Sequence, residues 1–174
     1  MTAAVASPIA SKSGRDTLPR IVVAGLAGGA VDLLYASGLA LWNGNPVTRP
    51  WQAVASGWIG REAGHGGAGV IALGVGTHFG IATCMAAVYV LLVRRIPVVV
   101  ARPYATAVLY GLILYAVMYL GVLPLRWPEA FPKWNGVMSV LDVLAHIGVA
   151  LAIAWAAARP ARAINPKSAT AGPF

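Results

Sequence analysis

Four apolar runs, at about 21–42, 69–93, 103–123 and 136–158, each approach the ~20 residues that a helix needs to cross ~30 Å of hydrocarbon. Runs of this length leave few folds open. In lipid each backbone N–H and C=O must be satisfied within the segment or a closed barrel, so continuous apolar runs of this kind are helices. Only 10% of the 174 residues are charged and 59% are hydrophobic, against about 25% charged in soluble domains. The expected fold is therefore an all-α integral membrane protein, with four transmembrane helices in a bundle over residues 21–158.

The breaks between runs have local causes. "NGNPVTRP" (43–50) is turn chemistry, "RRIPVVVARP" (94–103) holds two prolines, and "LPLRWPEAFPKWNG" (123–136) holds three. Residues 1–20 are small, polar and proline-containing and read as a disordered tail; 159–174 read as a second tail. The first run is about 22 residues, too long for a signal-peptide core, and reads as a retained helix.

The net charge is +8, and the basic residues sit at the ends of apolar runs, which argues for membrane topology and against a nucleic-acid partner. Placing both termini in the cytoplasm puts Lys12, Arg15, Arg20, Arg94, Arg95, Arg102, Arg159, Arg162 and Lys167 inside. Only Arg49, Arg61, Arg126 and Lys133 are then outside, and this bias predicts N-in/C-in. Trp42, Trp51, Trp58, Trp127 and Trp134 fall near the outer interface, as an aromatic belt would. In the first outer loop, Trp51, Val54, Trp58 and Ile59 recur at helical intervals after Pro50, which predicts a short interfacial helix. Cys84, the sole cysteine, reads as a packed thiol, and no disulfide within the chain can form.

Of five acidic residues, Asp32 and Asp142 lie inside apolar runs, as do His78 and His146. A charge at the bilayer centre costs at least ~2.5–3.5 kcal/mol, so such groups face a protein interior or a wet cavity. His78 and His146 lie roughly 13–15 Å from the outer ends of their helices at 1.5 Å per residue, and Asp142 is one turn from His146. One site could hold all four. Asn135, Ser139, Asp142 and His146, spaced 4, 3 and 4, form a polar stripe that predicts a vestibule open to the outside. Gly25/Gly29 and Gly76/Gly80 have the small-xxx-small spacing that lets helices approach closely.

The segments "GVGTHFGIATCMAAVYVLL" (74–92) and "LDVLAHIGVALAIAWAAAR" (141–159) resemble the histidine-bearing helices of the YagU-like family. The likeness lies in G-x-x-x-H ending at His78, Ala-x-x-Tyr ending at Tyr89, and His146 ahead of a terminal arginine. The resemblance implies a multi-span protein of the bacterial inner membrane and carries over no activity.

Three functions fit these residues. The polar groups can hydrogen-bond across helices in a scaffold or accessory subunit, partnered by other membrane subunits or by copies of itself. They can form a proton- or divalent-metal-handling site from His78, His146, Asp142 and Asp32, open to the outer side. Or His78 and His146 can be axial ligands of haem b, or line a quinone site. No G-x-S-x-G, P-loop, H-E-x-x-H or CxxC is present, so the sequence gives no soluble-enzyme motif.

Overall fold

A computed structural model describes residues 17–158. Residues 1–16 of the tail expected at 1–20, and the whole tail expected at 159–174, with Lys12, Arg15, Arg159, Arg162 and Lys167, lie outside the described residues. Helix α1 spans Thr17–Trp42, α2 Arg49–Ile59, α3 Ala68–Arg95, α4 Pro97–Ala101, α5 Pro103–Val117, α6 Leu123–Arg126 and α7 Val137–Ala157. A 3₁₀ turn covers Arg61–His65, and a π turn at Met118–Val122 joins α5 to α6. Four helices are long and apolar enough to cross a membrane: α1, α3, the α5–π–α6 unit at Pro103–Arg126, and α7.

The expected runs agree with these helices except at two ends. Thr17–Arg20, assigned to the tail, are the first turn of α1. The third helix does not stop at Leu123 but continues through Pro124 to Arg126. Pro124 has no N–H and its ring crowds the carbonyl four residues back, at Leu120. The π turn over Met118–Val122 absorbs that conflict without ending the helix.

Packing follows the glycines. A Cβ on Gly25 would meet the Thr83 backbone at 2.7 Å, and one on Gly29 would meet the Phe79 ring at 2.6 Å, so this face of α1 lies directly on α3. One on Gly28 would meet Ile153 at 2.7 Å, so the neighbouring face lies on α7. Gly111 of α5 meets the Ile147 backbone of α7 at 2.6 Å on the same test. The order is therefore α3–α1–α7–α5, with extended packing at each step, while α3 and α5 do not lie side by side. Of the expected glycine pairs, Gly25/Gly29 is a helix contact; Gly76 and Gly80 face open space.

The apolar core, including Ala24, Ala86, Tyr89, Val90, Ala150 and Ile153, occupies the half nearer Thr17 and Ala158. Arg94 Nη1 donates to Thr17 Oγ1 there (3.1 Å), tying the end of α3 to the start of α1. At the opposite end α2 lies against α3: Trp51 and Ala55 are buried, and the Trp51 backbone carbonyl rests on Gly74. Trp51 is therefore an internal packing residue and not part of an exposed belt. Trp42, Trp58 and Trp134 are exposed. Trp127 Nε1 donates to Ser56 Oγ (3.0 Å), which fastens α2 to the end of the third helix.

Candidate functional site

The two faces of α1 divide the polar residues. Positions 25, 29 and 32 share the face toward α3, and 28, 31 and 35 the face toward α7, each set following helical spacing. Asp32 accordingly meets His78 of α3, with Oδ2 3.6 Å from Nδ1, and the His78 side chain is only 11% exposed. His78 Nε2 lies 2.9 Å from the Gly29 carbonyl oxygen. A carbonyl only accepts, so Nε2 carries a proton and Nδ1 is turned to Asp32. Edge contacts from Trp51 and Phe79, at centroid distances of 5.2 and 5.3 Å, hold the ring in this orientation.

One turn further along α1, Tyr35 Oη donates to Asp142 Oδ1 of α7 at 2.6 Å. A second phenol, Tyr119, faces the same carboxylate. The π turn places it there: Tyr119 stacks on Tyr115 at 4.4 Å, and both rings meet His146 edge-on. His146 Nδ1 lies 2.8 Å from the carbonyl oxygen of Asp142, so the ring is tied back to its own helix as a donor.

Asp32, His78 and His146 line one cavity of about 60 Å³, with Gly28, Met85, Met118 and Val149 among the other walls. The structure thus brings three of the four expected residues to one space and sets Asp142 beside it, on Tyr35. Among the described residues no three His, Cys, Asp or Glu side chains converge as a metal ion requires. Asp32 and His78 form a side-chain pair, His146 shares their cavity while bonding the Asp142 backbone, and the Asp142 carboxylate is held by Tyr35. The cavity is far below the ~300 Å³ at which small-molecule pockets begin, so no haem macrocycle fits between His78 and His146. It has the volume of about two waters.

The polar stripe of α7 is not an open vestibule at the helix's N-terminal end. Ser139 is 1% exposed, and its hydroxyl accepts the Asn135 N–H at 2.8 Å, just ahead of the helix. Tyr35, Tyr115 and Tyr119 escape a reading that considers acids and imidazoles alone. The spacing of Tyr35 from Asp32 was available as a signal; for Tyr119 the π turn hid it.

A second feature lies on the other side of α3. Because α3 and α5 stand apart, an apolar groove of about 570 Å³ runs between them, bounded by Trp58 at the α2 end. Cys84 opens onto this groove and is exposed, contrary to the expected packed thiol. No acid, imidazole or cation lines it, so the groove offers shape and apolar surface and no acid–base chemistry.

Comparison with family models, curated proteins and solved structures finds no match for the chain. What the site can do is argued from its own geometry.

Proposed function

We propose that this chain is a multi-pass protein of the bacterial inner membrane, non-catalytic, serving as an accessory or scaffold component through its open α3/α5 side. The observation that carries this reading is the 570 Å³ groove between two spanning-length helices, lined mainly by apolar side chains and by no charged one. The ionisable groups, by contrast, turn inward to partners within the chain: His78 to Gly29 and Asp32, Asp142 to Tyr35, His146 to Asp142. That is how polar groups latch helices together, at an average gain of ~0.6 kcal/mol per contact. The arginines support N-in/C-in: Arg94, Arg95 and Arg102 cluster at the end of the assembly that holds Thr17 and Ala158.

The test is native mass spectrometry on protein released from its own membrane. Gly80→Leu, which projects into the groove, should remove a bound membrane constituent; Asp32→Asn with His78→Gln should keep it and only lower stability. Binding that follows the polar pair and ignores the groove sinks the reading.

One observation favours a second reading. His78 Nδ1 and Asp32 Oδ2 are facing acceptors that a single shared proton reconciles, beside a cavity of water size. The pair would then be a proton-binding centre. An infrared carboxyl band that responds to pH and vanishes in Asp32→Asn would establish it; no such band would dismiss it.

A further inference from the structure

We propose that the α3/α5 groove is a binding site for one acyl chain of an anionic phospholipid, with the lipid phosphate held by Arg126. The inference rests on the groove being the working surface and names what occupies it.

Length comes first. On α3 the groove runs from Thr77 to Val88 and on the third helix from Val122 back to Tyr110, roughly 16–18 Å at 1.5 Å per residue. That is about the depth of one leaflet, half of a ~30 Å hydrocarbon core. Its far end is closed, because Tyr110 reaches across from α5 and donates its hydroxyl to the Met85 carbonyl at 2.7 Å. Tyr89 backs that ring at 5.4 Å.

Width comes second. A helix ~10 Å across and ~17 Å long occupies roughly 1,300 Å³, more than twice the groove's 570 Å³. A single hydrocarbon chain can lie within the groove along its length, whereas a partner helix or a second copy of this protein could only rest across its open side. Gly80 provides the room: a Cβ there would meet nothing within 4 Å.

The mouth supplies the charge. Trp58, whose Nε1 donates to Thr77 Oγ1 at 2.9 Å, stands at the α2 end of the groove. The Arg126 guanidinium lies over its ring, 5.8 Å from the centroid. Arg126 also lines a polar cleft of about 330 Å³ with Arg61 and Glu129. There Arg61 is bound to Glu129 at 2.8 Å, whereas among the described residues no carboxylate pairs with Arg126. The cleft therefore carries one cation that no described carboxylate pairs with, set over the Trp58 ring that bounds the apolar slot. A guanidinium presents forked donors that match a phosphate, and indoles sit at headgroup level. An anionic headgroup above a single chain satisfies both parts at once.

The test uses the full chain in nanodiscs of phosphatidylglycerol and phosphatidylcholine, with retained lipid counted by native mass spectrometry. Wild type should retain one phosphatidylglycerol in preference to phosphatidylcholine. Arg126→Gln should cut that preference at least fivefold, and Arg49→Gln, at the same end but outside the cleft, should leave it intact. Gly80→Leu should lose the retained lipid while melting no lower than wild type. Maleimide labelling of Cys84 should be slow with lipid bound and at least fivefold faster after delipidation. Equal retention of both lipids by all variants would mean annular lipid only and would overturn the proposal. A protein-mass adduct lost in Gly80→Leu would overturn the lipid assignment and leave the accessory reading standing; no groove-dependent adduct would end both.

Discussion

Replacing Gly111 by alanine should destabilise the protein, although alanine is the better helix former. The added Cβ would stand 2.6 Å from Ile147 Cα, 2.8 Å from the His146 carbonyl oxygen and 2.9 Å from Ile147 N. Carbon atoms in good contact lie ~3.5–4.0 Å apart, so α5 must retreat by about 1 Å. Every opposing atom is backbone, and no side chain can rotate away. Among the long helices α5 has extended packing only on α7, so the retreat loosens its whole interface. A gap of 0.5–1 Å forfeits roughly a quarter to a half of each contact. Overpacking of this kind costs about 1–3 kcal/mol, and removing a helical glycine returns about 0.5–1 kcal/mol. The expected net loss is ~1–2 kcal/mol, a factor of roughly 5–30 in the folded-to-unfolded ratio. Gly80→Ala is the matched control: nothing lies within 4 Å of its Cβ, so only the gain remains. Both are measured by reversible unfolding in mixed micelles with added dodecyl sulfate. If Gly111→Ala proves as stable as Gly80→Ala, the α5–α7 approach described above is wrong.

Tyr35→Phe removes the donor to Asp142 Oδ1 and should cost ~0.6–1.7 kcal/mol in the same unfolding assay, with an unchanged fold by circular dichroism. Trp51→Ala empties a site that is 5% exposed against α3 and His78, and should loosen α2 by about 3–5 kcal/mol. Amide exchange within 49–59 should then approach the unprotected rate while α5 and α7 keep theirs. Arg61→Gln should shift stability by no more than about 0.5 kcal/mol, because the Arg61 and Glu129 side chains are 91% and 83% exposed. A larger loss would show that this bridge fastens α2 to the connection before α7.

The four long helices are legible because spanning length is a property of each segment alone. What the segments do to one another is not. Gly74, Gly76, Gly80 and Gly111 look alike in sequence, yet Gly74 and Gly111 are contacts and Gly76 and Gly80 are open. A helix that is apolar all round carries no pattern to say which side faces a neighbour. Depth alone brings Asp32 and His78 to one level, and the structure pairs them. Their separation from Asp142 depends on α1 standing between α3 and α7 with a different face to each. The Asp142 carboxylate is instead taken up by Tyr35, on the α7 face of α1. The same open order leaves α3 and α5 meeting only around Tyr89 and Tyr110, and the groove between them opens beyond that contact. Hydropathy cannot reveal that groove, since its walls are as apolar as a lipid-facing surface. Its mark in the sequence is Arg126, a cation at the end of the third apolar run, which among the described residues no carboxylate pairs with.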